Sequence, residues 1–514
     1  MIKEVNKISL EKQKKQLEEI NPEFLTKEKK EEERVLPELP NANLFGKKVD
    51  QKQIVMRMAP NPNGPLHIGH CRMAILNDEY AKKYSGSLFL RFDDTDPKNE
   101  NKIPMKEAYG WIEEDLKWLG VKYDRVERAS SRLEVYYSYF KQFLEKGFTY
   151  VCLCEQESWS KLVREQRKEC PCRKFTNQGN LKNWEKMLSG KFKEGQAVGR
   201  IKSNFEKEKN PAVLDWVAFR IVDNPQHPFS KNKVWPTLDF ASAIDDKDFG
   251  ATHIVRGKDL ASSEEKQRIL YDYLGWKYPV TKVYGKFMTS EDLVISKSKI
   301  QEGIKSGLYT GYDDPKLVFL RALKRRGIKA EAIRNYILNL GLSESETTVD
   351  LEILFSENKK LVDKEAGRYM VVLDPVKINT EELTQDTFSE PVHPENKEKK
   401  KKITVSKEAY IAKEDFEKYN GKEVRLLPLF NVKVGKKVKL LEDQNYTQKQ
   451  DKIQWAPYPG IKVKVIFPEG TKEGFGEQAL ADLKEGEIIQ MIRIGFGVIE
   501  KKAKDLITII FSHK

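Results

Sequence analysis

The sequence predicts an α/β protein: a nucleotide-binding parallel sheet with an insertion, then a helical segment, then C-terminal antiparallel β-barrels. Three observations predict it. Strand, loop, helix and strand signals follow one another between Gln53 and Phe92, which is the βαβ unit of such sheets. Helical patterns dominate residues 301–372. Past Leu373, short β-rich runs such as VRLLPLFNVKV and IKVKVIF alternate with Gly, Pro, Asn and Asp turns, as in antiparallel barrels.

The elements follow in order. Residues 1–50 read as a charged helical extension and linker. A helical stretch from Ser9 to Ile20 is broken by Pro22, and Leu36-Pro37-Glu38-Leu39-Pro40 reads as linker. Residues 51–104 read as the first half of the sheet domain. Gln53 to Met58 alternates like a strand, His67 to Tyr84 has helical length with Gly86 at a natural stop, and Ser87 to Phe92 is the next strand. Residues 105–230 mix helices with loops and hold four of the five cysteines, as an insertion. Residues 231–300 return to the sheet domain, with Trp235 to Leu260 expected in the parallel sheet. In the helical segment, Asp314 can cap and Pro315 suits a first helical position. This predicts a helix through LVFLRALKRR to Gly327 and a second from Ala330. Residues 373–514 form the barrels, in which the charge run Lys397 to Lys402 reads as an exposed loop.

Bulk properties narrow the function classes. A chain of 514 residues is enough for three or four domains at about 150 residues each. Hydrophobic residues at 39% and aromatics at 10% can build ordinary cores. Lysine and arginine outnumber aspartate and glutamate by 92 to 79, a formal charge of +13. That excess suits a polyanionic partner such as nucleic acid, or simply a lysine-rich solvated surface. Nowhere do about 18 apolar residues run together, which excludes a transmembrane helix. The start MIKEVNKISL has no apolar signal core and no myristoylation pattern. Five cysteines are too few for a disulfide scaffold. A cytoplasmic protein is expected.

Pro60-Asn61-Pro62-Asn63-Gly64-Pro65 leads into His67-Ile68-Gly69-His70 between the first strand and the first helix. A triphosphate needs close backbone approach, free N–H donors and a positive helix end, and such a turn supplies all three. Gly69 removes a side chain where a nucleotide would press. His67 and His70, three apart, share a helical face and can donate to phosphate oxygens. A metal pair is the rival reading, but no third ligand is evident nearby. Elsewhere, Cys152 and Cys154 are followed after fifteen residues by Cys170 and Cys172. Four thiolates can close a tetrahedral structural zinc site, with no open position for catalysis. Buried free thiols are the alternative.

Met56 to His70 resembles the HIGH motif of class I aminoacyl-tRNA synthetases, in the form used by the glutamyl and glutaminyl enzymes. LFLRFDDTDP (Leu88 to Pro97), WPTLDFASAIDDKDFGATHIVRGKD (Trp235 to Asp259) and DDPKLVFLRALKRRGI (Asp313 to Ile328) extend the likeness, which best fits the archaeal type of glutamyl-tRNA synthetase. Val294-Ile295-Ser296-Lys297-Ser298 resembles the family's KMSKS loop, with Lys297 at the catalytic lysine; Val294 and Ile295 depart from it.

The resemblance implies a Rossmann-type catalytic domain with an inserted acceptor-binding domain, and anticodon recognition by the barrels. It implies His67, His70 and Lys297 as catalytic groups, and Pro60, Gly69, Gly257, Asp259, Ser296 and Lys297 around ATP. Arg57, Asn61, Asp93 and Arg256 are implied around the amino acid. Two arginines suit the carboxylates of glutamate and an aspartate suits its ammonium. Arg256 favours glutamate over glutamine, because glutamine would leave the guanidinium incompletely paired; a salt bridge from Arg256 to a local aspartate is the structural alternative. Some relatives carry zinc in the insertion. Arg425, Trp455 and Arg493 are candidates for reading RNA bases, or else barrel core.

Implied cofactors and partners are ATP as substrate, Mg2+, structural Zn2+, L-glutamate and tRNA(Glu), with the chain a monomer. The alternatives are an enzyme that also charges tRNA(Gln) with glutamate, a glutaminyl-tRNA synthetase, and a non-catalytic RNA-binding relative.

Overall fold

The computed structural model describes residues 36, 37, 39, 54–288, 296–447 and 449–514. The expected N-terminal helix, most of the 1–50 extension, and Val294 and Ile295 of the KMSKS-like loop lie outside the described residues. All elements below belong to the unit Leu39–Lys514.

The strand Val55–Met58 is buried almost throughout and pairs in parallel with Ser87–Phe92, which pairs in parallel with Arg125–Arg128. On the other side of Val55–Met58 lies His253–Gly257. Two bonds tie them: Thr252 N–H to Val55 O at 3.0 Å and Val55 N–H to Thr252 Oγ1 at 2.9 Å. His253–Gly257 in turn pairs in parallel with Val280–Tyr284. The chain therefore leaves Val55–Met58 toward one side of the layer and returns on the other. The crevice at the carboxyl ends of Val55–Met58 and His253–Gly257 is a topological switch point, where parallel α/β sheets bind ligands.

The helix Ile68–Lys83 buries Ile68, Cys71, Ala74, Ile75 and Leu76, and its Asn77 donates to Val255 O across the sheet. It stops before Gly86: Tyr84 is the C-cap and Ser85 takes the left-handed turn at φ 49°. Gly86 serves a different need. A Cβ there would stand 2.3 Å from Ile54 O, so only glycine lets the return strand close on its neighbour.

The insertion has more strand than its sequence suggested. Thr149–Cys152, Val198–Ile201, Val217–Ile221 and Val234–Pro236 form an antiparallel sheet in that order. Trp235 thus belongs to this sheet and not to the parallel one; of the run Trp235 to Leu260, only His253–Gly257 is a parallel strand. Phe140, Trp184, Phe219 and Phe240 pack ring against ring beneath it.

The helical segment comprises Lys297–Lys305, Leu320–Arg325, Ala330–Leu340 and Leu351–Val362. The expected helix from Asp314 is shorter than predicted. Asp314 does accept from Thr310 N–H and Lys316 N–H, but this closes only a turn, and the helix begins at Leu320. The backbone between them is engaged elsewhere. Ile68 N–H donates to Val318 O at 3.1 Å and Leu320 N–H to Leu66 O at 3.0 Å, so Phe319 is extended beside His67.

Beyond residue 366 the chain is β-rich, with two separate cores. One is built on Met370, Ile403, Val424 and Trp455, the other on Val371, Val463, Ile489 and Ile509. A seven-stranded sheet runs from Gly367–Tyr369 through Ile488–Met491, Gly495–Ala503, Leu506–His513, Ile461–Phe467 and Gly470–Gly476 to Val371–Leu373. The lysine run is not a loop. Asn396–Thr404 is a strand paired antiparallel with Thr387–His393, and its Lys401 is 4% exposed. The Lys401 ammonium reaches Glu477 at 2.6 Å, Glu390 at 2.9 Å and Arg368 O at 2.7 Å. An uncompensated charge could not be buried there, and these acceptors compensate it. Among the described residues, no helix is long and apolar enough to cross a membrane.

Candidate active site

The loop from Pro60 is held along its length. Pro60 O accepts from Asp93 N–H at 3.0 Å and Pro62 O from Met105 N–H at 2.8 Å. Leu66 N–H donates to Asp115 Oδ2 at 2.9 Å. His67 is then the N-cap of the helix Ile68–Lys83. Its Nδ1 accepts from Gly69 N–H at 3.1 Å, and His70 Nδ1 accepts from the His67 N–H at 3.2 Å. This is a capping box in which two imidazoles replace the usual hydroxyl and carboxylate.

The box decides the protons. With both Nδ1 atoms accepting, each neutral ring carries its hydrogen on Nε2. Burial lowers the His67 pKa to about 3, and burial also takes His70 well below its ordinary range, with His67 and Lys297 adding to the effect. Near pH 7 the pair is therefore two neutral N–H donors, with ring centroids 3.8 Å apart. The structure adds a local reason for Gly69. A Cβ there would lie 2.8–2.9 Å from the His67 ring, so the glycine makes room for the capping imidazole.

Lys297 comes to this turn from far along the chain. It opens the helix Lys297–Lys305, with exposed Ser296 as its N-cap. Its ammonium donates to Asn63 Oδ1 at 2.7 Å and to Gly64 O at 3.4 Å. Burial lowers its pKa to about 7, against a raising field from Asp115. The HIGH-like turn and the KMSKS-like lysine thus converge.

At the switch point the structure gathers Arg57 and Arg256. Arg57, 6% exposed, meets Asp246 through Nε at 3.1 Å. Burial lowers its pKa, Asp246 opposes this, and Arg91 and Arg256 press the same way as burial. Arg256 is 3% exposed, and its partners are neutral: Tyr278 OH at 2.6 Å and Gln267 Oε1 at 3.4 Å. Among the described residues it forms no salt bridge, and its Nε has no hydrogen-bond partner. The alternative of a local Arg256–aspartate pair is therefore not what the fold builds. Asp93 arrives already paired, through Oδ1 to Arg91 Nε at 2.8 Å; burial raises its pKa and Arg91 opposes this. Asn61 donates to Lys102 O at 3.2 Å, and its buried Oδ1 has no partner among the described residues. Gly257 ends its strand buried, and Asp259 is exposed in the short turn Lys258–Leu260.

Sequence reasoning missed the residues that hold these groups: Arg91, Asp246, Tyr278, Gln267 and Asp115. Arg91 and Asp246 carried a faint signal, as charges inside otherwise apolar strand and helix patterns (LFLRF and FASAIDD). Of the barrel candidates, Trp455 and Arg425 are buried while Arg493 is exposed, and each has a partner within the protein. Trp455 is fully buried and donates to Leu427 O, Arg425 bonds Asn431 and Pro428 O, and Arg493 pairs with Asp415.

In the insertion, the sulfurs of Cys152, Cys154, Cys170 and Cys172 all lie within 4.8 Å of one another. The contacts Cys152–Cys170, Cys154–Cys170 and Cys154–Cys172 are 3.7, 3.6 and 3.7 Å. Four sulfurs placed tetrahedrally about 2.3 Å from one zinc would stand about 3.8 Å apart. No disulfide joins them. The donor set and the spacing both fit zinc.

Comparison with known proteins agrees with this architecture. The catalytic-domain model of class I tRNA synthetases (E and Q) matches residues 53–365, and the anticodon-binding-domain model of the same group matches residues 366–453. A glutamate-tRNA ligase of Pyrococcus furiosus is 44% identical, over 100% of this chain and 91% of its own length. Those of Pyrococcus abyssi and Methanosarcina mazei are 44% and 41% identical, covering 91% and 90% of this chain and 84% and 82% of theirs. With both domains matched by the family models and a relative 44% identical over the whole chain, the chain belongs to the class I tRNA synthetases of the E and Q group.

Proposed function

We propose that the protein attaches L-glutamate to tRNA(Glu) in an ATP-dependent, two-step reaction. The observation that carries glutamate over glutamine is Arg256, a buried cation at the switch point whose partners are neutral. Such a guanidinium calls for an anionic ligand, and the second carboxylate of glutamate supplies one. Arg57 is the second cation facing the substrate, and Asp93 with Asn61 receives the ammonium end.

In the first step the α-carboxylate oxygen attacks the α-phosphorus of ATP. The bond to the bridging oxygen breaks, pyrophosphate leaves, and glutamyl-adenylate forms. The Nε2–H groups of His67 and His70 donate to phosphate oxygens as charge builds, and the Lys297 ammonium neutralises the departing pyrophosphate. Gly257, Asp259, Pro60, Gly69 and Ser296 surround the nucleotide. Magnesium bound with the nucleotide would supply further charge neutralisation at the phosphates. In the second step a terminal ribose hydroxyl of tRNA attacks the acyl carbon, and AMP leaves.

Aminoacylation with glutamate and with glutamine, against each purified tRNA(Glu) and tRNA(Gln), tests the reading. Glutamate on tRNA(Glu) is expected. Charging with glutamine alone would overturn the substrate, and glutamate on tRNA(Gln) as well would widen the specificity.

Cys152, Cys154, Cys170 and Cys172 hold a structural zinc in this reading, closing the insertion at a closed four-sulfur site. Metal analysis after purification without chelators is expected to find about one zinc per chain. The Cys170→Ser variant should retain little of it. Absence of zinc from the parent protein would sink the assignment.

A further inference from the structure

Asp115 lies on the helix Ala108–Trp118, outside every motif of the site, yet it meets the nucleotide turn directly. It is 5% exposed, and its Oδ2 accepts the N–H of Leu66, the residue before the capping His67, at 2.9 Å. The opposite edge of the same turn is pinned by Leu320 N–H on Leu66 O. Leu66 is thus gripped on both its backbone groups, once by a neighbouring backbone and once by a carboxylate. Among the described residues Asp115 has no ion-pair partner within contact distance, since Arg321 nearby pairs with Glu114 instead. Asp115 borders a crevice of about 600 Å³ with Trp118, Arg321, Lys324, Arg325 and Glu500.

We propose that Asp115 is a positioning residue for adenylate formation: its carboxylate both fixes the turn that presents His67 and serves as counter-charge to the Lys297 ammonium. Two independent observations carry this. The first is the Leu66 hydrogen bond. The second is that the Lys297 ammonium bonds Asn63 Oδ1 and Gly64 O on that same turn, which brings it within the field of Asp115. Other charged groups face the pair from each packed element. Glu114 comes from the same helix, Arg321 and Lys324 from Leu320–Arg325, and the Cys71 thiol from Ile68–Lys83, while His67 and His70 face Lys297. Burial raises Asp115 to about 7, where Arg321 and Lys324 lower it and Glu114 raises it. Asp115 supports the charged form of Lys297 only where it is itself ionised, and the ammonium is the form that attracts phosphate oxygens.

The inference rests on the reading of Lys297 as a nucleotide-site lysine, and two variants separate its parts. Asp115→Asn keeps an acceptor for Leu66 but removes the charge; Asp115→Ala removes both. In ATP–pyrophosphate exchange with glutamate and tRNA(Glu) present, kcat/KM for ATP reports the free enzyme. Its alkaline limb should move to lower pH by about half a unit or more in Asp115→Asn, because Lys297 then loses its proton earlier. The rate at pH 6 should stay within about fivefold of the parent. Asp115→Ala should fall about tenfold further at every pH, because the Leu66 N–H loses its acceptor. A purely structural role would lower rates without moving the limb, and an unmoved limb in Asp115→Asn overturns the proposal. Trace acetylation of Lys297 with acetic anhydride, followed by mass spectrometry across pH, gives the same titration without catalysis. Superimposable curves for parent and Asp115→Asn overturn the coupling whether or not the chain charges tRNA.

Discussion

Arg256→Met should lower kcat/KM for glutamate by about 10²- to 10³-fold, the equivalent of about 2.7–4 kcal/mol. The size follows from the company Arg256 keeps. Arg57 meets Asp246, which it shares with Arg91, and Arg91 also meets Asp93, so each of these cations has an anionic partner before any substrate arrives. Arg256 has only a phenol and an amide, and its Nε lacks a partner among the described residues. A carboxylate entering the crevice therefore meets a desolvated cation whose hydrogen bonding is incomplete. Charge-assisted bonds formed there are strong, and methionine replaces them with an apolar stem of similar length. The loss should fall on glutamate and not on ATP, so KM for ATP should change by less than about twofold. Arg256→Lys should recover only part of the loss, because an ammonium cannot reproduce a two-pronged grip. Steady-state exchange kinetics for the three proteins decide it. A Met variant whose glutamate dependence matched the parent would remove Arg256 from the substrate site.

How much of this site was legible in the sequence depended on how local each signal was. The turn at Pro60 to His70 is contiguous, and its proline and glycine spacing announces a strand-to-helix turn by itself. The four cysteines are two tight pairs, and chelation requires only that the fold bring the pairs together. Arg57, Asp93 and Arg256 were found by resemblance, since nothing in composition marks an arginine on a strand as a ligand. What could not be read was the second partner of each group. Arg91, Asp246, Tyr278 and Asp115 act through contacts set by sheet order, which a linear pattern does not encode. The helix predicted from Asp314 failed for a related reason. Its capping signal was real, but residues 318 to 320 spend their backbone groups on the His67 turn, a tertiary demand that overrides local propensity. Lys397 to Lys402 failed because a half-buried strand is recognised by alternation of apolar and polar residues. Here the buried position is itself a lysine, so the period of two was hidden inside one charge class.

Lys297→Met should slow adenylate formation by about 10²- to 10³-fold, as loss of a charge stabiliser of the transition state does. The same change should make the protein no less stable at neutral pH, and that combination distinguishes a working lysine from a structural one. Burial holds Lys297 at about 7 in the folded protein, against an ordinary value of 10.5 in the unfolded chain. Between these values the unfolded chain binds more protons, so the contribution of this group to stability rises with pH through that window. It is fully present above 10.5 and lost as pH falls toward 7. At neutral pH the folded protein thus carries the cost of a partly buried ammonium, which methionine removes. The bond to Asn63 is lost in exchange, so a rise in Tm of about 2–4 °C near pH 7 is the expected balance, shrinking toward pH 10. Lys297→Arg sharpens the test, because a guanidinium keeps its charge throughout. Whatever rate that variant retains should lack the alkaline limb that the parent shows near pH 7. Rate–pH profiles with thermal melts at pH 7 and pH 10 provide both readouts. A Met variant that melted well below the parent at pH 7, or an Arg variant with the parent's alkaline limb, would show that the lysine holds the turn together and does not serve the phosphates.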